Sequence, residues 1–235
     1  MSGIKVTVTD RYETINLFEG RECLSVIHLS DIHLWYSTVI LETLKKRIEK
    51  NTPGLVIMTG DYYDVPKGAY NFREFLCGIS AKYPVVFIRG NHDTIYGTKI
   101  SQLLSGIPGC HCVEDVVFRY RSAKGLYYNI TSWKNKRQLT TRQGEKNIVL
   151  IHNPEKIREG ELTGIDLILA GHLHGGQVIF FRTKGNSNFP GNLLYRYCID
   201  RTKIEDTILI VSKGLGDTFP LRINCPREVV QINIT

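Results

Sequence analysis

Apolar residues gather in short runs along this chain, and between the first few runs the apolar spacing changes from strand-like to helix-like. Leu24-Ser25-Val26-Ile27-His28-Leu29, Leu55-Val56-Ile57-Met58 and Pro84-Val85-Val86-Phe87-Ile88 read as buried strands. After the first, Ser37 is placed to cap a helix whose Ile40, Leu44 and Ile48 keep one face apolar, ending near Pro53-Gly54. Residues 72–79 predict a second helix and residues 100–104 a short third one.

The strand-helix alternation then stops. Strands are predicted at 112–118, 126–131, 148–151, 166–170, 177–181, 194–198, 207–211 and 229–234, with a turn of helix at 155–159. A βα half followed by a mainly β half predicts one α/β domain, residues 1–235, built on two facing sheets. No internal repeat, low-complexity tract or linker divides it.

Composition adds little until it is located. The 235 residues are 42% hydrophobic and 23% charged, which excludes disordered, collagenous and coiled-coil chains. Thirty Lys and Arg against 23 Asp and Glu give a net charge of +7. Residues 119–146 hold eight basic residues and one acidic, so the rest of the chain carries 22 of each and is neutral. Tyr120, Tyr127, Tyr128 and Trp133 interleave with these cations. Such a segment suits an amphipathic anionic substrate, a lipid headgroup surface or a nucleotide, and Lys134, Lys136 and Arg137 are its candidate substrate-binding residues. The bland alternative is a solvated, charged hairpin.

Residues 1–17 are polar and mixed in charge, with no apolar core or cleavage site, and no apolar run is long enough to span a bilayer. A soluble cytoplasmic protein is expected, with peripheral contact at the inner membrane face as a finer expectation. The six cysteines form no CxxC pair, and Cys23, Cys77 and Cys112 lie beside apolar residues, as small buried hydrophobes do. Cys110-His111-Cys112 has a spacer too short for a zinc clip.

The chemistry concentrates just beyond the predicted strands, where α/β sheets place their sites. The first strand runs into Ser30-Asp31-Ile32-His33, the second into Thr59-Gly60-Asp61, and the third into Gly90-Asn91-His92-Asp93. The β half adds Ile151-His152-Asn153 and Gly171-His172-Leu173-His174-Gly175-Gly176. In an extended segment Asp31 and His33 point to one side. Asp31 to Asp61 and Asp61 to Asn91 are each 30 residues, one strand-helix-strand unit apiece. Each motif alone is a turn, a cap or a hydrogen-bonded histidine; five in order, each closing a predicted strand, point to one site. His28 lies within its strand and reads as packed, and His111 reads as a loop residue.

These blocks resemble the ordered DxH, GD, GNH(D/E), H and GHxH pattern of the calcineurin-like metallophosphoesterases. The resemblance implies a β-sandwich of two mixed sheets flanked by helices. It also implies two divalent metal ions, Mn²⁺ first, with Fe or Zn²⁺ as alternatives. Asp31, His33 and His174 would hold one ion, Asn91, His152 and His172 the other, and Asp61 would bridge both. His92 would contact phosphate and protonate the leaving group, oriented by Asp93, with Asn91 also at the substrate. Nitrogen and oxygen donors without thiolate suit these metals, and paired ions activate water for displacement at phosphorus.

The tail, Ser212-Lys213-Gly214-Leu215-Gly216 followed by Pro220, Arg222, Cys225-Pro226 and Glu228, resembles a small bacterial branch of that superfamily. The branch includes single-domain phosphodiesterases and a type of UDP-2,3-diacylglucosamine pyrophosphatase of lipid A synthesis. The expected partner is a phosphate-containing small-molecule or lipid-linked substrate. A nuclease or nucleotide phosphodiesterase is the alternative, and a non-catalytic scaffold is the third reading.

Overall fold

The computed structural model describes residues 7–20, 24–217 and 221–235. Cys23 and Pro220 lie outside the described residues. In chain order the strands are β1 (Val8–Ile15), β2 (Leu24–Leu29), β3 (Leu55–Met58), β4 (Val85–Phe87), β5 (Cys110–Cys112), β6 (Phe118–Arg121) and β7 (Tyr127–Ser132). Then follow β8 (Glu145–Ile151), β9 (Leu167–Ala170), β10 (Ile179–Arg182), β11 (Asn188–Pro190), β12 (Arg201–Ile204), β13 (Thr207–Val211) and β14 (Arg227–Ile234). The helices are α1 (Val39–Asn51), α2 (Pro66–Ser80) and α3 (Gly97–Ser101), joined by single turns of tighter helix.

Alternation within the strands sets the layers, because neighbouring side chains leave a strand on opposite faces. Val26, Leu55, Ile57 and Val86 of one sheet meet Tyr128, Ile148, Leu150, Leu167, Leu169 and Ile210 of the other in a core between the sheets. The alternate residues Ile27, Leu29, Val56, Met58 and Phe87 face outward onto Leu44 and Ile48 of α1 and Phe72 and Leu76 of α2. On the second sheet Val149, Ile151, Ile168 and Leu209 face a third core closed by Ile157, Leu162, Tyr197 and Ile199. Helices therefore cover the first sheet, whereas loops and single turns cover the outer face of the second.

Each sheet has six strands, in the orders β1-β14-β2-β3-β4-β5 and β12-β13-β9-β8-β7-β6, with a separate β10-β11 hairpin. β2 through β5 pair in parallel, as do β7, β8, β9 and β13, while the β14-β2, β12-β13 and β6-β7 pairs are antiparallel. Both sheets are mixed, as expected. Parallel strands bring all their C-terminal ends to one edge, which aligns the residues after β2, β3 and β4 and, in the second sheet, those after β8 and β9.

Several local expectations need correction. β1 was unforeseen: its sequence is polar because it is an outer strand, and among its residues Val8 and Ile15 are the two that are buried. α2 begins at Pro66, a residue suited to the first helical turn, well before the predicted start. Gly68 reads as a breaker in sequence but is packed so closely on the Leu34 backbone that a Cβ would overlap it. The predicted strand at 112–118 is two strands separated by the crossing from one sheet to the other. Thr131 Oγ1 and Ser132 Oγ hold that crossing by donating to Val116 O at 2.7 Å and Glu114 O at 2.7 Å.

Residues 194–198 are not a strand, and Leu194 is 80% exposed. The cap of α1 is Thr38 without a side-chain bond, and Leu41 takes the buried place given to Ile40. Cys77 and Cys112 are exposed, whereas Cys198 and Cys225 are buried. His111 lies in β5 and stacks on Phe118. His28 is packed as expected, bonded to Thr59 Oγ1 at 2.9 Å, and burial pushes it down to about 3. Among the described residues no helix is long and apolar enough to cross a membrane.

Candidate metal centre

The chain must turn sharply as it leaves β2, β3 and β9, and it does so on the predicted ligands themselves. Asp31, His33, Asp61, His172 and His174 all have positive φ, from 48° to 71°. Non-glycine residues seldom adopt that backbone, and it persists only where surroundings enforce it. Here the enforcing contacts are hydrogen bonds between turns. Asp31 N donates to Gly60 O at 2.9 Å, His33 N to Asp61 O at 3.0 Å, and Gly171 N to His152 O at 3.0 Å. Two glycines permit the close approach: a Cβ at Gly90 would overlap the Asp61 carboxylate, and one at Gly171 would overlap Ser30 and Asp31.

All seven predicted ligands are brought together. His33 Nε2 lies 3.2 Å from His174 Nε2, with Asp31 Oδ1 3.7 Å from the latter. His152 Nε2 lies 3.1 Å from His172 Nδ1, 3.1 Å from Asn91 Oδ1 and 3.1 Å from Asp61 Oδ2. Asp61 Oδ2 is also 3.9 Å from His33 Nε2, so this carboxylate stands between the two sets. Three groups of donor atoms are close enough to hold an ion: Asp31 with His33 and His174, His33 with Asp61 and His92, and Asp61 with His152 and His172. Ring nitrogens facing one another at hydrogen-bond distance need a proton or a cation between them. With two carboxylates alongside and no thiolate, the donor set fits divalent ions of the Mn, Fe or Zn type.

The surrounding contacts fix which nitrogen faces inward. His152 Nδ1 lies 2.8 Å from Thr59 O, an acceptor only, so Nδ1 carries the proton and Nε2 is left as the donor atom. His33 Nδ1 faces Asp64 Oδ1 at 2.8 Å with the same consequence. His174 is backed differently, by the Arg222 guanidinium 3.2 Å from Nδ1. The carboxylates are held by backbone: His172 N donates to Asp31 at 3.0 Å and His92 N to Asp61 Oδ1 at 2.9 Å.

Asp93 does something other than orient His92. Its two oxygens accept from the backbone of Asp61 at 2.7 Å, Tyr62 at 2.8 Å and Gly90 at 2.8 Å, tying the second and third strand-end turns together. The carboxylate beside the His92 ring is Asp64, 2.8 Å from Nδ1. Asp64 also accepts from Trp35 Nε1 at 2.9 Å through its other oxygen. Sequence reasoning missed Asp64, although it stands three residues beyond Asp61 in the same turn.

Electrostatics follow from this crowding. Burial disfavours the Asp61 carboxylate, but the His152 hydrogen bond and charge and the His92 N–H outweigh it and hold Asp61 down to about 2. Burial lowers His152 too, and the bond to Asp61 with the charges of Asp31 and Asp61 overcomes it, pushing His152 up to about 9. His33 is raised for the same reasons by Asp64, Asp31 and Asp61 against its burial. His174 falls to about 4, chiefly by burial, and burial with the His152 charge lowers His172. Burial raises Asp93 to about 6 despite its three N–H donors.

Of the three basic residues expected at the substrate, Lys134 lines a cavity of about 360 Å³ that Asn91 and His152 also line. Lys136 and Arg137 do not. Lys136 is bound to Glu161 at 2.9 Å, and Arg137 is exposed. The basic segment 119–146 supplies β6 and β7 and enters β8, so its charges divide between opposite ends of these strands. Arg142 and Lys146 line a different cavity at the start of β8, about seven residues of strand away from His152. Arg119 pairs with Glu145 and Lys146 with Asp166.

A family model described as calcineurin-like phosphoesterase matches residues 24–176, a span that contains every residue of the centre. An uncharacterized metallophosphoesterase of Campylobacter jejuni, Cj0846, is 28% identical over 229 residues, covering 90% of this chain and 59% of that protein. The chain thus spans about three fifths of that relative's length. The phosphodiesterase YaeI of Escherichia coli is 25% identical over 224 residues, covering 89% of this chain and 81% of YaeI. Among solved structures, TT1561 of Thermus thermophilus superposes with a TM-score of 0.53 at 10% identity, over 83% of this chain and 91% of that one, and so shares the fold.

Proposed function

The chain belongs to the calcineurin-like phosphoesterase family, and from that premise we propose that its centre takes two divalent metal ions and hydrolyses a phosphodiester or pyrophosphate bond. The observation that carries this reading is the pair of facing imidazole sets, His33 with His174 and His152 with His172, on either side of Asp61. Asp31, His33 and His174 would hold one ion, Asn91, His152 and His172 the other, and Asp61 both. Two such ions supply positive charge for a phosphoryl group and lower the pKa of water. Mn²⁺ is proposed first, with Fe and Zn²⁺ as alternatives.

The remaining roles fall to the chain's own groups. Thr59 O and Asp64 hold His152 and His33 with Nε2 turned inward. Asp64 also holds the proton of His92 at Nδ1, and in the protonated ring the opposite nitrogen donates a proton to the departing oxygen. Asp93 fixes the turns that carry Asp61 and Asn91, and so acts as a positioning residue.

The finer reading is a lipid-linked substrate such as UDP-2,3-diacylglucosamine, met at the inner membrane face. Its support is the exposed apolar side chains that follow the His174 turn: Phe180 is 64% exposed, Phe181 55%, Leu193 70% and Leu194 80%. A nuclease would need a continuous basic track, and the charges of residues 119–146 are instead divided between two ends of the sheet. The deciding experiment presents Mn²⁺-loaded protein with UDP-diacylglucosamine, cyclic nucleotides, single-stranded DNA and simple diesters, with mass-spectrometric identification of products. Metal-dependent hydrolysis of the lipid substrate is expected; no hydrolysis of any member would overturn the phosphoesterase reading.

A further inference from the structure

The cavity beside Asn91 and His152 has a mixed character that the metal centre does not explain. Its apolar base is Ile88, Leu150 and Ile151, and one wall is Trp133. Lys136 Nζ lies 3.9 Å from the indole centroid and is itself anchored to Glu161, so the ring is pinned from one side. Arg89 and Glu114 also line the cavity, but the Glu114 carboxylate accepts from Arg89 N at 2.8 Å and Nε at 3.0 Å, and the two charges cancel.

The charge available to a ligand comes from Lys156 and Lys134. Lys156 is exposed, lines the cavity beside His152, and has no carboxylate paired with it among the described residues. Lys134 pairs with Asp115 at 3.0 Å, but both side chains are largely exposed, and such pairs exchange readily for a better anion. A pinned aromatic wall, an apolar base and two available cations beside a phosphoryl site describe a particular occupant.

Resting on the phosphoesterase reading, we propose that this cavity binds the departing half of the substrate and selects a nucleoside monophosphate: the base lies against Trp133 and its phosphate between Lys134 and Lys156. In the hydrolysis of a nucleoside diphosphate ester, water oxygen forms the new bond to the attacked phosphorus as the bridging P–O bond breaks. The bridging oxygen leaves with its electron pair on the nucleoside monophosphate and takes the proton of His92, while the proton lost by water passes to solvent and in time restores His92. The cations of the cavity stabilise the charge so released.

Two measurements decide it. Calorimetry on Mn²⁺-loaded protein compares uridine and adenosine monophosphates with inorganic phosphate. A nucleotide is expected to bind about tenfold more tightly, an advantage that Trp133→Ala and Lys156→Ala each remove and Trp133→Phe retains. Kinetics then compare a nucleoside diphosphate sugar with a base-free diester, bis-glycerol phosphate. Lys156→Ala should lower the ratio of the two kcat/KM values about tenfold, mainly through KM for the nucleotide ester. Equal binding of nucleotide and phosphate, or an unchanged ratio in Lys156→Ala, would overturn the assignment while leaving hydrolysis intact. Loss of the phosphoesterase reading would look different: wild-type protein would hydrolyse neither ester, and the binding comparison would still decide the cavity.

Discussion

The two sheets contribute unlike halves of one centre. The first sheet delivers both carboxylates and the amide, Asp31, Asp61 and Asn91, at the ends of β2, β3 and β4, each followed by helix. The second delivers His152, His172 and His174 at the ends of β8 and β9, followed by single turns and loops. His33 is the one imidazole among the first sheet's ligands. Carboxylate oxygen therefore comes from one layer and most of the imidazole nitrogen from the other, and neither half offers the whole donor set. The centre exists because the core between the sheets holds their edges in register.

The largest expected effect tests that dependence directly. Asp61 is the first sheet's contact with both imidazole sets, 3.1 Å from His152 and 3.9 Å from His33. Asp61→Asn should lower metal affinity by more than about 100-fold, beyond the usual effect of losing an outer partner, and abolish most turnover. Metal content by mass spectrometry after dialysis reads this out; two retained ions with full activity would end the bridging role of Asp61. His92→Ala should separate chemistry from binding. Turnover should fall by about 10²- to 10⁴-fold with metal content unchanged, as for loss of a general acid.

A pair of core substitutions sharpens the same contrast. Ile57 lies between the two sheets, whereas Leu44 lies between the first sheet and its helix. Each truncation to alanine should cost about 2–5 kcal/mol in urea unfolding. Ile57→Ala should also weaken metal binding, because it loosens the packing that aligns the two edges, and Leu44→Ala should spare it. Equal effects on metal affinity would mean that the centre follows global stability and not the register between sheets.

How much could be read in advance follows the same division. Of the strands that lead into the site, β3, β4 and β9 are apolar throughout and β8 ends in an apolar run, and β2, β3 and β13 begin and end where the sequence pattern places them. All seven candidate ligands were legible through the family resemblance, whose ordered motifs restrict residue type as well as spacing. β1 was not legible, since its polar sequence gains its place from eight paired positions along β14. Asp64 was not legible either: an acidic residue in a turn has an ordinary local reading, and only the fold sets it between His33 and His92. The resemblance implies that Asp93 orients His92, which it adjoins in sequence. In space its carboxylate serves three backbone N–H groups.

A smaller effect concerns protons in the metal-free protein. His152 has an ordinary value of 6.5 and is raised to about 9, against its burial, by the Asp61 bond and the charges of Asp31 and Asp61. A histidine raised on folding contributes stability that is fully present below about pH 6.5 and lost as pH rises through about 9. Metal must displace that proton, so apparent affinity should rise across the same window. Urea midpoints of EDTA-treated protein should fall through this range, and those of metal-loaded protein should not. A flat profile for the metal-free form would show that the two sheets do not communicate through the His152–Asp61 pair.

The smallest effect lies at Arg137, and its smallness is informative. Charge counting along the chain makes Arg137 as good a substrate contact as Lys134, because both sit in the one basic segment. The structure separates them: Lys134 lines the cavity beside Asn91 and His152, while Arg137 is exposed at the end of the same turn and outside that cavity. An exposed arginine that makes no hydrogen bond or ion pair among the described residues changes stability within about 0.5 kcal/mol when truncated. Its charge acts on a substrate through water, screened over about 10 Å at ordinary ionic strength. Arg137→Ala should therefore leave KM within about twofold, whereas Lys134→Ala should raise it several times more for an anionic leaving group. If both substitutions shift KM equally, the segment acts through its overall field, and the contrast between a cavity residue and a surface residue fails at this edge of the second sheet.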